Sequence, residues 1–344
     1  MKRIIFLLAM IPGVLASCGS PADSPLISPS PSLTITLQLT QSIPSSTATY
    51  TVLPTVTPIP NTSTPRPTPT ITPTATRIPA YKTLRKLFEY DHDSPVGLEV
   101  ETEEVQDGIT VQTVKYYGAE NAIYHKVLRV SAYLVLPEGT GPFPALLYLH
   151  AGGMSKDQYL DEGILLAQHG VVCLLIDGPL SSVRGSRLDP FDIPRVRDAY
   201  IRTVIDLRRG IDLLESLPQV DPSRMGYVGH SYGATWGGVL AGVETRLKVY
   251  VLMAGYAQVS ENDTPQVPEL DAIRYLPYAA QATYLFLFAE NDVFINQAEA
   301  QLYFDTADGN KALFWYDTDH FGLQFVSQED RLKWLAKQLQ FTYP

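Results

Sequence analysis

The sequence predicts an α/β domain: an open, mostly parallel central sheet with helices on both faces and an antiparallel β-hairpin at its N-terminal side. Short apolar runs recur from residue 145 onward, segments of helical spacing fall between them, and the two alternate to the C-terminus. Uninterrupted apolar runs suit strands buried on both faces, and strand–helix alternation implies parallel crossovers. In such sheets, ligand chemistry gathers outside the C-terminal ends of the strands.

In chain order, Ile109 to Tyr117 and Val127 to Leu136 read as strands, the second with partial polar–apolar alternation, and they suit an antiparallel pair at a sheet edge. After Pro137 and a Gly/Pro turn, Ala145 to Leu149 reads as a buried strand. Helix Gln158 to His169 and buried strand Val171 to Ile176 follow, the latter ending at Asp177-Gly178. A long amphipathic helix spans about Arg195 to Leu217, with Val204, Ile205, Leu207, Ile211 and Leu214 on its apolar side. Strand Met225 to Gly229, helix Ala234 to Val243, strand Leu247 to Ala254 and strand Thr283 to Ala289 continue the pattern. Helix Asn296 to Thr306, strand Lys311 to Tyr316 and helix Ser327 to Gln340 complete it.

The first 80 of the 344 residues do not belong to this rhythm. Lys2 and Arg3 precede an apolar run from Ile4 to Leu15, which reads as a signal peptide over residues 1–17 and is too short to span a bilayer. Leu15-Ala16-Ser17-Cys18 resembles the lipobox of bacterial lipoproteins, which implies cleavage before Cys18, a lipid on its thiol and a membrane-anchored, extracytoplasmic location in the cell envelope. Residues 18–80 are then a lipidated cysteine followed by a Pro/Thr/Ser-rich stalk, nearly uncharged, whose composition cannot bury enough apolar surface to offset its ordering entropy. Residues 81–344 form the expected globular domain.

Composition excludes several classes. A net charge of −10 gives no attraction for phosphate backbones, so no nucleic acid is expected. Cys18 and Cys173 are the two cysteines, and without clustered Cys/His spacing neither a disulfide scaffold nor a metal site is expected. Cys173, inside an apolar strand, reads as a buried and inert thiol.

The chemistry lies in Gly229-His230-Ser231-Tyr232-Gly233, a Gly-x-Ser-x-Gly sequence between a predicted strand and a predicted helix. A turn that tight strains the backbone at Ser231, and Cβ atoms at positions 229 and 233 would collide with neighbouring elements. A serine hydroxyl is a weak nucleophile at neutral pH and needs a base and a group to orient that base, expected in the chain order acid, then histidine. Asp292, after strand Thr283 to Ala289, is the expected acid, with Glu290 the competing carboxylate and a solvated loop residue the bland alternative. His320, after the last strand, is the expected base among six histidines. The oxyanion of acyl transfer needs two N–H donors: the backbone of Tyr232, and Gly152 in the loop His150-Ala151-Gly152-Gly153.

With these motifs the chain resembles the α/β-hydrolase superfamily over about residues 85 to 342, and within it the dienelactone hydrolase and acetyl xylan esterase group that shares its catalytic domain with prolyl oligopeptidases. Where that group carries His-Gly in the oxyanion loop, this chain has His150-Ala151. The resemblance implies an extra N-terminal hairpin and a cofactor-free serine carboxylesterase acting on small-molecule esters of short acyl groups, acetylated carbohydrates among them. A prolyl-oligopeptidase-like peptidase and a non-catalytic tethered binding protein are the alternatives. Tyr232, Trp236 and Tyr256 are candidates to line the substrate site, Trp236 equally a core residue, and Arg184 and Arg187 would either meet an anionic substrate group or hold their own loop.

Overall fold

The computed structural model describes residues 79–121, 125–184, 189, 191–258 and 267–344. The expected signal peptide, Cys18, residues 19–78 and Arg187 lie outside them.

Among the described residues, nine strands form one sheet in the order β1-β2-β3-β5-β4-β6-β7-β8-β9. They are β1 (Glu99–Gln106), β2 (Ile109–Asn121), β3 (Lys126–Leu136), β4 (Phe143–Leu149), β5 (Val172–Ile176), β6 (Val220–His230), β7 (Val249–Met253), β8 (Thr283–Ala289) and β9 (Asn310–Tyr316). The helices are α1 (Tyr81–Leu84), α2 (Leu160–Gln168), α3 (Ile193–Ser216), α4 (Tyr232–Val243), α5 (Gln297–Thr306), α6 (Leu323–Val326) and α7 (Gln328–Leu339). Strands β1, β2, β3 and β5 pair antiparallel in turn, and from β5 to β9 every pairing is parallel.

The central strands are apolar throughout because each face meets a helix. Consecutive β4 residues point to opposite sides: Leu147 packs under Gly210 of α3, while Tyr148 donates its hydroxyl hydrogen to Glu162 of α2. Leu146 to Leu149, Val172 to Ile176 and Val249 to Met253 are buried, and fully burying such a side chain stabilises by roughly 1.5–3 kcal/mol. On the α2 face, the buried Arg331 of α7 pairs with the buried Glu162 and also donates from Nη1 to the Gln324 carbonyl at 2.6 Å.

Three local expectations change. The hairpin gains a strand, because β1 covers the outer edge of β2; its sequence, Glu-Val-Glu-Thr-Glu-Glu-Val-Gln, is exposed at every position and has no apolar face to read. Strand β6 begins earlier than expected, since the polar stretch Asp221 to Arg224 extends it. The C-terminal helix is preceded by the short α6 and starts at Gln328, where the Ser327 hydroxyl donates to the Leu323 carbonyl.

Register places the site. Leu149 is level with Gly229, His230 with Met253, Met253 with Leu287, and Ala289 with Tyr316. The loops after β4, β6, β8 and β9 therefore leave from one edge of the sheet. The strand order reverses around β4, between β5 and β6, which opens a crevice beside the ends of β4 and β6.

Candidate active site

Ser231 stands between β6 and α4 with φ 53° and ψ −110°, a conformation that costs a non-glycine residue about 1–3 kcal/mol. The turn is possible because its flanks lack side chains. A Cβ on Gly233 would lie 2.1 Å from the Leu149 carbonyl oxygen, and one on Gly229 would lie 2.5 Å from Gly233 itself. The Ser231 N–H donates to the Met253 carbonyl at 2.7 Å, and its carbonyl accepts from Thr235 N–H, so the backbone is held from both sides. Its side chain is half-buried, and among the described residues the Ser231 hydroxyl forms no hydrogen bond.

Asp292 and His320 meet after β8 and β9. The imidazole Nδ1 lies 2.7 Å from Asp292 Oδ2, while Oδ1 accepts the N–H groups of Phe294 and Ile295 at 2.8 and 3.0 Å. Both side chains are almost wholly buried. Burial acts to raise the Asp292 carboxyl, but the His320 hydrogen bond and the two backbone N–H groups outweigh it and hold the group below the ordinary carboxylate value. A charged Asp292 makes Nδ1 of His320 the donor, which leaves Nε2 with its lone pair free. Glu290 does not reach the imidazole; its N–H bonds the Tyr316 carbonyl.

The link from this pair to the serine turn runs through His230, the residue before Ser231. Its ring packs 5.2 Å from the His320 ring, and its Nε2 lies 3.0 Å from the His320 carbonyl oxygen. A carbonyl only accepts, so Nε2 carries the hydrogen and Nδ1 accepts from Gln158 Nε2 at 3.1 Å. Burial and the neighbouring His320 push the His230 pKa down to about 3, so this ring is neutral. Gln158 also donates to Gln324 Oε1 at 2.8 Å, and its own Oε1 accepts the Ala151 N–H at 2.8 Å. One glutamine thus joins the loops after β4, β6 and β9. Nothing in the sequence marks it.

The loop after β4 lies against Tyr232. A Cβ on Gly152 would stand 3.7 Å from the Tyr232 Cβ. The Gly152 and Tyr232 N–H groups have no partner among the described residues, Tyr232 being the first residue of α4. His150 braces the loop: Nδ1 donates to the Ala151 carbonyl at 2.7 Å and Nε2 accepts the Gly178 N–H at 3.0 Å, with burial lowering its pKa.

No family model matches the chain. A curated relative, 2,6-dihydropseudooxynicotine hydrolase of Paenarthrobacter nicotinovorans, is 24% identical over 139 residues, covering 40% of this chain and 35% of that enzyme, so the match spans about a third of the relative's length. Among solved structures, the acetyl xylan esterase of Paenibacillus sp. R4 aligns over 75% of this chain and 93% of its own, with a TM-score of 0.56 and 19% identity. The S-formylglutathione hydrolase of Agrobacterium tumefaciens aligns over 70% and 99%, with a TM-score of 0.56 and 16% identity. This is the α/β-hydrolase fold. In this fold Ser231, Asp292 and His320 occupy the strand ends read from the sequence, and β2 and β3 form the expected antiparallel pair at the N-terminal side.

The remaining candidates divide. Trp236 is core, 2% exposed and packed on Tyr200 at 4.5 Å. The Tyr232 hydroxyl pairs with Thr203, and its ring edge would lie 3.2 Å from a Cβ on Gly178. Tyr256 donates its hydroxyl hydrogen to the Phe294 carbonyl. Arg184 bonds the Asp177 carbonyl and Asp206, which ties down its loop, and its buried Nη2 finds no partner among the described residues. Cys173 is buried, and burial raises its thiol pKa well above the ordinary value.

Proposed function

We propose that the chain is an extracytoplasmic serine carboxylesterase that cleaves short-acyl esters, acetylated compounds among them, through Ser231, His320 and Asp292. The reading rests above all on the 2.7 Å His320–Asp292 bond, formed at the same sheet edge as a serine held in a strained turn. His320 Nε2 takes the Ser231 proton as the oxygen attacks the ester carbonyl, and Asp292 steadies the imidazolium. The carbonyl oxygen, now negative, takes the N–H groups of Tyr232 and Gly152, whose lack of other partners suits that task. His320 then gives its proton to the departing alcohol oxygen, leaving an acyl group on Ser231. Water deprotonated by His320 attacks that acyl group, and the acid leaves with the serine oxygen reprotonated. The serine–histidine hydrogen bond closes as substrate enters, since such bonds are commonly long before then.

The connection from β7 to β8 favours a short acyl group: it has fewer than about 30 residues, and its described parts, 254–258 and 267–282, contain only short 3-10 turns. Solved neighbours with this fold include the acetyl xylan esterase and S-formylglutathione hydrolase named above. Residues 1–80 complete the reading: cleavage before Cys18, transfer of a diacylglyceryl group to its thiol and a stalk of up to roughly 3.1 Å per residue hold the domain outside the membrane. Ser231→Ala is expected to lose p-nitrophenyl acetate turnover by a factor on the order of a thousand or more while melting at an unchanged temperature. Full turnover by that variant would refute the assignment. Loss of detergent-phase partitioning in Cys18→Ala tests the anchor.

A further inference from the structure

His320 is flanked by hydrocarbon. Phe294 and Phe321 meet its ring edge-on at 4.9 and 5.3 Å and lie 5.9 Å from each other. Both are half exposed, at 53% and 54%, whereas the third ring against the imidazole, His230, is fully buried. Val293 on the loop of Phe294, and Phe325 and Val326 in α6 just after Phe321, are also exposed, at 85%, 73% and 50%. Some polar groups nearby are engaged: Asn291 donates to Asp317, Asp319 accepts the Gly322 N–H, and Gln324 in α6 accepts from Gln158.

We propose that the alcohol part of the ester is apolar, an aryl or alkyl group rather than a sugar, and is held against Phe294 and Phe321. The inference rests on the acyl-transfer reading above, because there His320 must pass its proton to the alcohol oxygen. That oxygen sits within hydrogen-bond reach of Nε2, so the carbon behind it lies beside whatever flanks the imidazole. His320 is itself only 4% exposed, and an approaching group passes its two exposed neighbours. An apolar alcohol covers those rings and gains from leaving water, while a sugar would place hydroxyls against them. The rings of Phe294 and Phe321 are then specificity determinants for the alcohol, while the Phe294 backbone N–H holds Asp292.

Acetate esters test this cleanly, because every one passes through the same acetyl-enzyme and differences in kcat/KM report the alcohol-expelling step. Benzyl acetate should exceed methyl acetate by about tenfold or more and exceed acetylated xylose by more than that. Phe321→Ala should cut kcat/KM for benzyl acetate by about tenfold and that for methyl acetate by less than about twofold, Phe294→Ala should lower the benzyl-to-methyl ratio by about tenfold, and the Leu variants should restore much of the loss. Thermal melts establish that each variant is folded, and the Leu variants carry the test if an Ala variant is not. Acetylated xylose as the preferred ester, or an equal loss on all three esters in both Phe variants, would overturn the inference and leave the hydrolase reading intact. No turnover of any ester, with no fluorophosphonate label on Ser231, would overturn both.

Discussion

Nε2 of Gln158 lies 3.1 Å from Nδ1 of His230, and that contact sets the tautomer of a ring whose opposite nitrogen donates to the backbone of His320. The same amide accepts the Ala151 N–H. Its orientation is determined, since a flipped amide would face an N–H with an N–H and leave two buried groups unsatisfied.

Gln158→Leu removes all three bonds at about constant volume. The buried Ala151 N–H and His230 Nδ1 lose their partner, at a cost of about 1–3 kcal/mol each in stability. Because the loops carrying Gly152, Ser231 and His320 then lose their common tie, kcat should fall about ten- to a hundredfold with KM changed by less than about threefold. Steady-state kinetics on p-nitrophenyl acetate and urea unfolding of the same variant read both effects. A wild-type kcat would show that the network has no part in turnover.

The turn itself yields opposite predictions at positions two residues apart. In Gly233→Ala the new methyl group would sit 2.1 Å from the Leu149 carbonyl oxygen, a backbone atom of a central strand, and at least about 3 kcal/mol of stability should be lost. In Ser231→Gly the positive φ no longer strains a side chain, so the protein should be inactive yet more stable by about 1 kcal/mol. Denaturant midpoints compare the two.

Acid should destabilise the fold before it protonates the carboxylates. His230 is held neutral in the native state down to about pH 3, whereas the unfolded chain binds that proton near pH 6.5. Below pH 6.5 the unfolded state therefore carries more protons, and stability falls with falling pH, by roughly 2 kcal/mol between pH 7 and pH 5 from this group. His150, also lowered, acts in the same direction. Unfolding free energies measured at the two pH values should differ in that sense, and the difference should shrink in His230→Asn.

What was readable in the sequence follows from how each feature is made. Val172 to Ile176 and Thr283 to Ala289 are apolar because both faces are covered, and that leaves an unbroken run. Gly229 and Gly233 are legible because backbone contacts at 2.1–2.5 Å admit no other residue. Strand β1 was not legible, since a fully exposed edge rich in Glu carries no periodic signal and is built from pairing to β2 alone. Gln158 was not legible for a different reason: its importance comes from three loops converging in space, and a single glutamine before a helix has no pattern. The apolar rim at Phe294 and Phe321 was hidden likewise, because the two rings lie in loops separated by all of α5 and β9.

The central claim is that acyl transfer passes through the Ser231 oxygen with His320 as its base. Its most direct test is covalent labelling with a fluorophosphonate followed by peptide mapping of wild type, Ser231→Ala and His320→Ala. The account predicts a single label on Ser231 in the wild type, no label in Ser231→Ala, and labelling of His320→Ala slowed at least about a hundredfold. A label on another residue, or undiminished labelling of Ser231→Ala, would contradict it.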